Sequence, residues 1–206
     1  MSYLFPWTAY ETLRGLRCCD DRLNLPNVLR VELRDIKPAI WRRIVMPGKI
    51  RLGKLHVVLL LAMGWDGGHI HEFIFGDTHY GIPEDAGFAD DPPISNEARV
   101  TFAKALGGLR TFTYVYDYGD NWQHRIKVEK ALTPDPKLRH PLCIDGENAC
   151  PPEDVGGAPG YADFVDAISD SSHEEHQHLK DWYGGSFDPK AFDLVLVNQR
   201  LCEVVL

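Results

Sequence analysis

The chain is short of nearly everything that would assign it to a membrane, to secretion or to a nucleic acid. No segment approaches the roughly 20 apolar residues needed to cross a bilayer; Leu55 to Met63 is too short, and it carries His56. The N-terminus has no basic region followed by an apolar stretch and a small-residue cleavage site, so a cytoplasmic location is expected. Cysteines number only five, an odd count, and Cys18 and Cys19 are adjacent, a spacing that rarely suits a disulfide. Reduced thiols are therefore expected. An excess of positive charge is also missing, since 22 Lys and Arg face 30 Asp and Glu for a net charge of −8. That balance opposes the phosphate neutralisation on which sequence-independent nucleic-acid binding rests. Arg30, Arg34, Lys37, Arg42, Arg43, Lys49, Arg51 and Lys54 do gather in one stretch, but apolar residues interleave them, the pattern of the wet face of a sheet.

What the sequence does contain is an ordinary globular composition: 206 residues, 44% hydrophobic and 25% charged. Length and composition together fit one large domain with a single core. Residues 1–26 hold Phe5, Trp7 and Tyr10 without a clear period and read as an N-terminal arm packed on a domain spanning 27–206. Val28 to Asp35 alternates apolar and charged residues, as a half-buried strand does, and Ile40 to Met46 resumes beyond Pro38, so the two form a hairpin. From Leu52 the apolar spacing changes to Leu52, Leu55, Leu59 and Met63, a buried helical face that Gly64 is suited to terminate. His71 to Phe75 reads as a strand, and 76–98, rich in Gly, Asp and Pro, as a long loop.

Thr111 to Tyr116 and Trp122 to Glu129 are the clearest strands, joined by Asp117-Tyr118-Gly119-Asp120-Asn121, the residues a tight reversal needs. The proline-rich stretch 133–160 is expected to be irregular but ordered. Helices follow at 161–168, 173–182 and 189–201, the last with Asp188 as N-cap and Pro189 in its first turn. The fold expected is α+β, a mainly antiparallel sheet of hairpins with helices packed on one face.

Four ordered segments stand out. The first runs from Leu55-His56 through Met63-Gly64-Trp65 to His69-Ile70-His71-Glu72-Phe73, and the second from Tyr116 to His124. The third runs from Cys143 through Gly146, Ala149 and Cys150-Pro151-Pro152-Glu153-Asp154 to Gly156-Gly157. The fourth is Phe187-Asp188-Pro189 with Phe192 and Asn198. Over roughly residues 28–201 this order resembles the Ri-plasmid open-reading-frame-three family, the pRiA-type ORF-three-like proteins. The chain departs from that pattern at Leu60, where a glutamine is common, and at Val155, where a third cysteine often follows the Glu-Asp pair. The resemblance implies an intracellular α+β domain with no established activity. Some members carry a TnpR-like resolvase label, which implies a DNA-associated protein of mobile elements. The chain offers no helix-turn-helix and no serine nucleophile in a recognisable setting.

Several chemistries compete for these motifs. Zinc takes four Cys, His or carboxylate ligands. Cys143 and Cys150, seven apart with His140 just before them, are candidate ligands, and the alternative makes them small buried apolar residues. His69 and His71 alternate along a strand and so share a face, with Asp117, Asp120 and His124 flanking the turn as further ligands. An acid–base enzyme would draw on the carboxylates Asp117, Asp120, Glu153 and Asp154, with His71 or His124 as proton carrier and a pocket of Trp65, Tyr118, Trp122 and Tyr161. Asp117 and Asp120 can equally be spent on backbone amides, as Asp is at reversals. His173, His176 and His178 surround a His-Glu-Glu-His run that lacks the four-residue spacing of zinc proteases and read as a solvated helix face.

The leading expectation is a non-enzymatic binding or interaction domain for a protein or small ligand. Its candidate site gathers His69, His71, Asp117, Tyr118, Asp120, Trp122, His124, Glu153, Asp154 and Tyr161. A metal-dependent or acid–base enzyme at the same place is the second reading, and a DNA-associated protein the third.

Overall fold

A computed structural model of the chain describes residues 26–83, 92–131 and 138–205. The arm expected over 1–26 lies outside the described residues apart from Pro26, which opens the first strand. Strand β1, Pro26–Leu33, pairs antiparallel with β2, Trp41–Pro47, placing Val31 opposite Arg42. β3 is His71–Phe75, and β6 and β7 are Thr111–Tyr116 and Trp122–Ala131. With β4 (Thr78–Gly81), β5 (Ile94–Asn96) and β8 (Leu142–Glu147), the alternation legible in these segments builds the centre of an eight-stranded sheet of order β5-β4-β3-β6-β7-β1-β2-β8. Every neighbouring pair is antiparallel except β4 with β5.

Three of those strands and the 3₁₀ turn between two helices correct the sequence reading. The loop expected over 76–98 carries β4, Thr78–Gly81, then β5, Ile94–Asn96, and the 3₁₀ turn Glu97–Arg99; residues 84–91 are outside the described set. The stretch expected to be irregular, 133–160, carries β8, Leu142–Glu147, at the sheet edge. β5 and β8 are the edge strands and β4 lies next to one; strands at an edge are short and less apolar than central ones, so their period is weak. The short helix α2, Phe102–Leu106, was also not signalled.

One face of the sheet is apolar. Leu29, Val31 and Leu33 of β1, Phe73 and Phe75 of β3, Phe112, Tyr114 and Tyr116 of β6, and Trp122 and Ile126 of β7 are buried on it. Helix α1, Leu52–Met63, covers this face with Leu52, Leu55, Val58, Leu59 and Met63 and ends at Gly64, whose φ of 101° is the left-handed cap conformation glycine takes without steric cost. At roughly 1.5–3 kcal/mol per large apolar side chain, this stripe is a principal source of the helix's stability. The opposite face is wet: Arg30 pairs with Glu32, and Arg43 with Glu129 and Asp145. The basic stretch is thus divided, because Arg42 points the other way and is buried.

Helix α3, Gly157–Ser169, starts four residues earlier than its apolar period, and α4, His176–Tyr183, packs on it. The last helix, α5, is Leu194–Leu201 and contacts α1 and β8. Its N-cap is Asp193, whose carboxylate accepts from the Val195 and Leu196 amides. Asp188, expected as the cap, instead accepts from the Lys190 amide in a preceding turn. Pro189 therefore begins a turn and not the helix.

Candidate functional site

The β6–β7 reversal is built on Asp117 and Asn121, both with positive φ, at 58° and 55°. One carboxylate oxygen of Asp117 accepts from the amides of Gly119 and Asp120, which holds the side chain in place. Its other oxygen, Oδ2, faces His69 Nδ1 at 3.4 Å. The opposite ring nitrogen, Nε2, faces Asp154 Oδ1, also at 3.4 Å. Three segments far apart in sequence thus meet around one imidazole. His69 and Asp117 sit at the ends of β3 and β6, which the register His71 opposite Tyr116 places side by side, and Asp154 lies on the loop before α3. Asp117 is nearly buried, His69 partly exposed, and Asp154 73% exposed, so the cluster opens outward through Asp154. Among the described residues these are the three His, Cys or carboxylate side chains whose ligand atoms lie within 4.8 Å of one another.

Neighbouring contacts fix the loop. Trp65 donates its indole N–H to the Pro151 carbonyl at 2.9 Å. Glu153 accepts from the Asp66 amide and from the Tyr116 hydroxyl, and Asp120 Oδ2 accepts from the Gly156 amide at 3.2 Å. His69 stands edge-on to Tyr116. Burial, and then the Glu153 carboxylate at its hydroxyl, hold the Tyr116 phenol well above its ordinary pKa. Four carboxylates (Asp117, Asp120, Glu153 and Asp154) belong to this connected group. Among the described residues none of them makes an ion pair with Lys or Arg.

The other expected site residues lie deeper or elsewhere. His71 is buried and bonds Glu97 at 2.9 Å. His124 is fully buried; its Nδ1 donates to the Tyr114 carbonyl at 3.3 Å, and burial pushes its pKa down to about 4. Trp122 is a core side chain, and Tyr161 packs edge-on to Phe187 with its phenol pushed up to about 12 by burial. Tyr118 alone of the expected aromatic lining is exposed, so the pocket of Trp65, Tyr118, Trp122 and Tyr161 does not form.

The cysteine candidates have structural surroundings. Cys143 is buried and its thiol faces the Asp145 carbonyl, while the Cys150 thiol is raised far above its ordinary pKa by burial. His140 spends Nδ1 on the Val204 carbonyl at 3.1 Å. No three-ligand cluster among the described residues includes Cys143, Cys150 or His140.

A second polar group escaped the sequence reading. His56 on α1 lies against His71, bonds the Tyr114 hydroxyl at 2.7 Å, and is driven down to about 3 by desolvation and then by the neighbouring His71. Glu97, its fourth member, sits on the 3₁₀ turn within the segment read as loop. The one signal in the sequence was alternation, which puts Tyr114 and Tyr116 on one face of β6; the register that sets His71 opposite Tyr116 comes from the structure.

Among the described residues no helix is long and apolar enough to cross a membrane. Comparison with known proteins agrees with the architecture and with the family resemblance. The chain is 37% identical over 177 residues to "Uncharacterized protein y4hQ" of Sinorhizobium fredii (strain NBRC 101917 / NGR234), covering 85% of this chain and 90% of that one. The crystal structure of MM3350, a protein of unknown function from Methanosarcina mazei Go1, superposes with a TM-score of 0.74 at 31% identity, covering 83% of this chain and 96% of that one. The model of the family described as "Plasmid pRiA4b ORF-3-like protein" matches residues 27–195, and to that family this chain belongs.

Proposed function

We propose that the protein is a binding domain and not an enzyme, and that its site is the end of the sheet where His69, Asp117 and Asp154 meet. The observation that carries this reading is the placement of one imidazole between two carboxylates drawn from separate segments, 3.4 Å from each. Charge sets the ligand class. The connected carboxylates have no Lys or Arg ion pair among the described residues, so the ligand carries positive charge. Catalysis is the weaker reading because the histidines that would move protons are engaged: His71 is bonded to Glu97, and His124 is buried and held neutral. DNA association is weaker still, since Arg30 and Arg43 spend their charge on Glu32, Glu129 and Asp145.

The test is an NMR fragment screen on the full chain, with amines, guanidines, carboxylates and neutral heterocycles as probes. Amide shifts clustered at 66–70, 117–121 and 152–156, evoked by the cationic fragments and lost in Asp154→Asn, are expected. Shifts centred elsewhere, or none from any class, overturn the reading.

A further inference from the structure

We infer that the His69–Asp117–Asp154 cluster is a binding site for a divalent first-row transition metal, zinc being the best fit. This deepens the binding reading above and rests on it. The first argument is spacing. Ligands at roughly 2.0–2.2 Å from a tetrahedral ion stand about 3.3–3.6 Å from one another. One ligand atom from each of His69, Asp117 and Asp154 lies within 4.8 Å of the other two, so an ion on Nδ1 and Asp117 Oδ2 needs only a small shift of the exposed Asp154. The two nitrogen–oxygen separations, on opposite ring nitrogens, are 3.4 Å each. They exceed the ordinary span of a direct N–H···O bond, about 2.7–3.2 Å.

The second argument is the donor set. One imidazole nitrogen with two carboxylates is a mixed N/O set that suits zinc and its first-row neighbours, whereas calcium takes six to eight oxygens and magnesium keeps oxygen ligands and water. The third argument is how rigidly each donor is held. Asp117 is tied through its other oxygen to Gly119 and Asp120, and the His69 ring stands edge-on to Tyr116, whose hydroxyl is bonded to Glu153. Asp154 is the exposed donor that closes on the ion. Three protein ligands leave a coordination position open to solvent or to an electron-donating group of a partner molecule.

The test is isothermal titration of the chelator-stripped full chain with Zn²⁺, Co²⁺, Mg²⁺ and Ca²⁺, repeated with His69→Gln and Asp154→Asn. Both residues are exposed enough for the variants to fold, and circular dichroism melting checks that they do. One Zn²⁺ per chain, weakened about tenfold or more in each variant, with little heat from Mg²⁺ or Ca²⁺ and a visible Co²⁺ ligand-field spectrum lost in His69→Gln, is the expected result. Failure of the wild type to bind Zn²⁺ or Co²⁺, or binding by both variants as tight as that of the wild type, overturns the inference. The fragment screen separates the two levels: cationic fragments at the site without metal binding would leave the binding domain standing and remove the metal, and neither would remove both.

Discussion

His56 on α1 lies flat against His71 on β3, with ring centroids 3.5 Å apart and planes 7° from parallel. A proton on His56 would sit over a second imidazole in a desolvated setting, and its pKa falls to about 3 as a result; that of His124, fully buried, falls to about 4. Both folded-state values lie below the ordinary histidine value, so the unfolded chain takes up protons that the folded chain refuses. Stability is full above about pH 6.5 and declines as the pH falls toward the folded-state values, by up to about 1.4 kcal/mol per pH unit for each group. Urea unfolding between pH 7.5 and 5 should show this slope, and His124→Gln should remove about half of it. An unchanged slope in that variant would mean His124 is not held neutral.

Glu97 explains a glycine inside a helix. A Cβ on Gly53 would stand 3.1 Å from the Glu97 carboxylate, which is buried and bonded to His71 and so cannot retreat cheaply. Gly53→Ala gains about 1 kcal/mol of helix propensity but displaces a buried carboxylate, and a net loss of roughly 1–2 kcal/mol is expected. In a Glu97→Ala background the obstacle is gone, and the same substitution should stabilise by about 1 kcal/mol. A cycle of four denaturant curves reads the reversal of sign.

The division between what was legible and what was not follows from the range of the interactions. β1, β2, α1, β3, β6 and β7 declare themselves through local period, because each buries one face against the same core. β8 has no such pattern: its place depends on Asn198 of α5, whose side chain accepts from the Cys143 amide and donates to the Cys143 carbonyl, a pairing 55 residues apart. Arg42 likewise reads as one more basic strand residue. It is in fact buried, donating to the Ala62 carbonyl at the end of α1 and to the Trp41 and Glu147 carbonyls. At the candidate site the residue types His69, Asp117 and Asp154 were readable. Which of the ten candidates would share one space depended on the strand register and on the hold of Trp65 and Tyr116 on the 151–153 loop, and no spacing in the chain encodes either.

The cysteines give a contrasting prediction. Cys143 is buried with its thiol on the Asp145 carbonyl and Cys150 packs against the core, the Arg42 guanidinium being the charged neighbour of both. Serine in their place loses apolar contact and adds a more polar hydroxyl, at about 1–3 kcal/mol each. Cys143→Ser and Cys150→Ser should therefore lower stability in urea while leaving metal content, measured by elemental analysis of protein purified without chelator, equal to that of the wild type. Metal lost in the cysteine variants would move the metal centre from His69 to the β8 region.

The loop carrying Glu153 and Asp154 is pinned at its far end by two adjacent glycines with different constraints. Gly156 has a φ of 92°, and a Cβ there would meet only the Gly160 Cα at 3.6 Å, an ordinary contact. Gly157 has a φ of 70°, and a Cβ there would stand 2.6 Å from the Asp120 carbonyl oxygen, backbone of the β6–β7 reversal. Gly156→Ala should cost only the left-handed conformation, about 1–2 kcal/mol. Gly157→Ala should cost that plus displacement of the loop from the reversal, roughly 1–3 kcal/mol more, because two backbone segments cannot both keep their positions. The displacement also separates Asp154 from Asp117, so Zn²⁺ affinity should fall further in Gly157→Ala than in Gly156→Ala. Equal stability and equal affinity in the two variants would show that the approach of Gly157 to Asp120 does not set the geometry of the site.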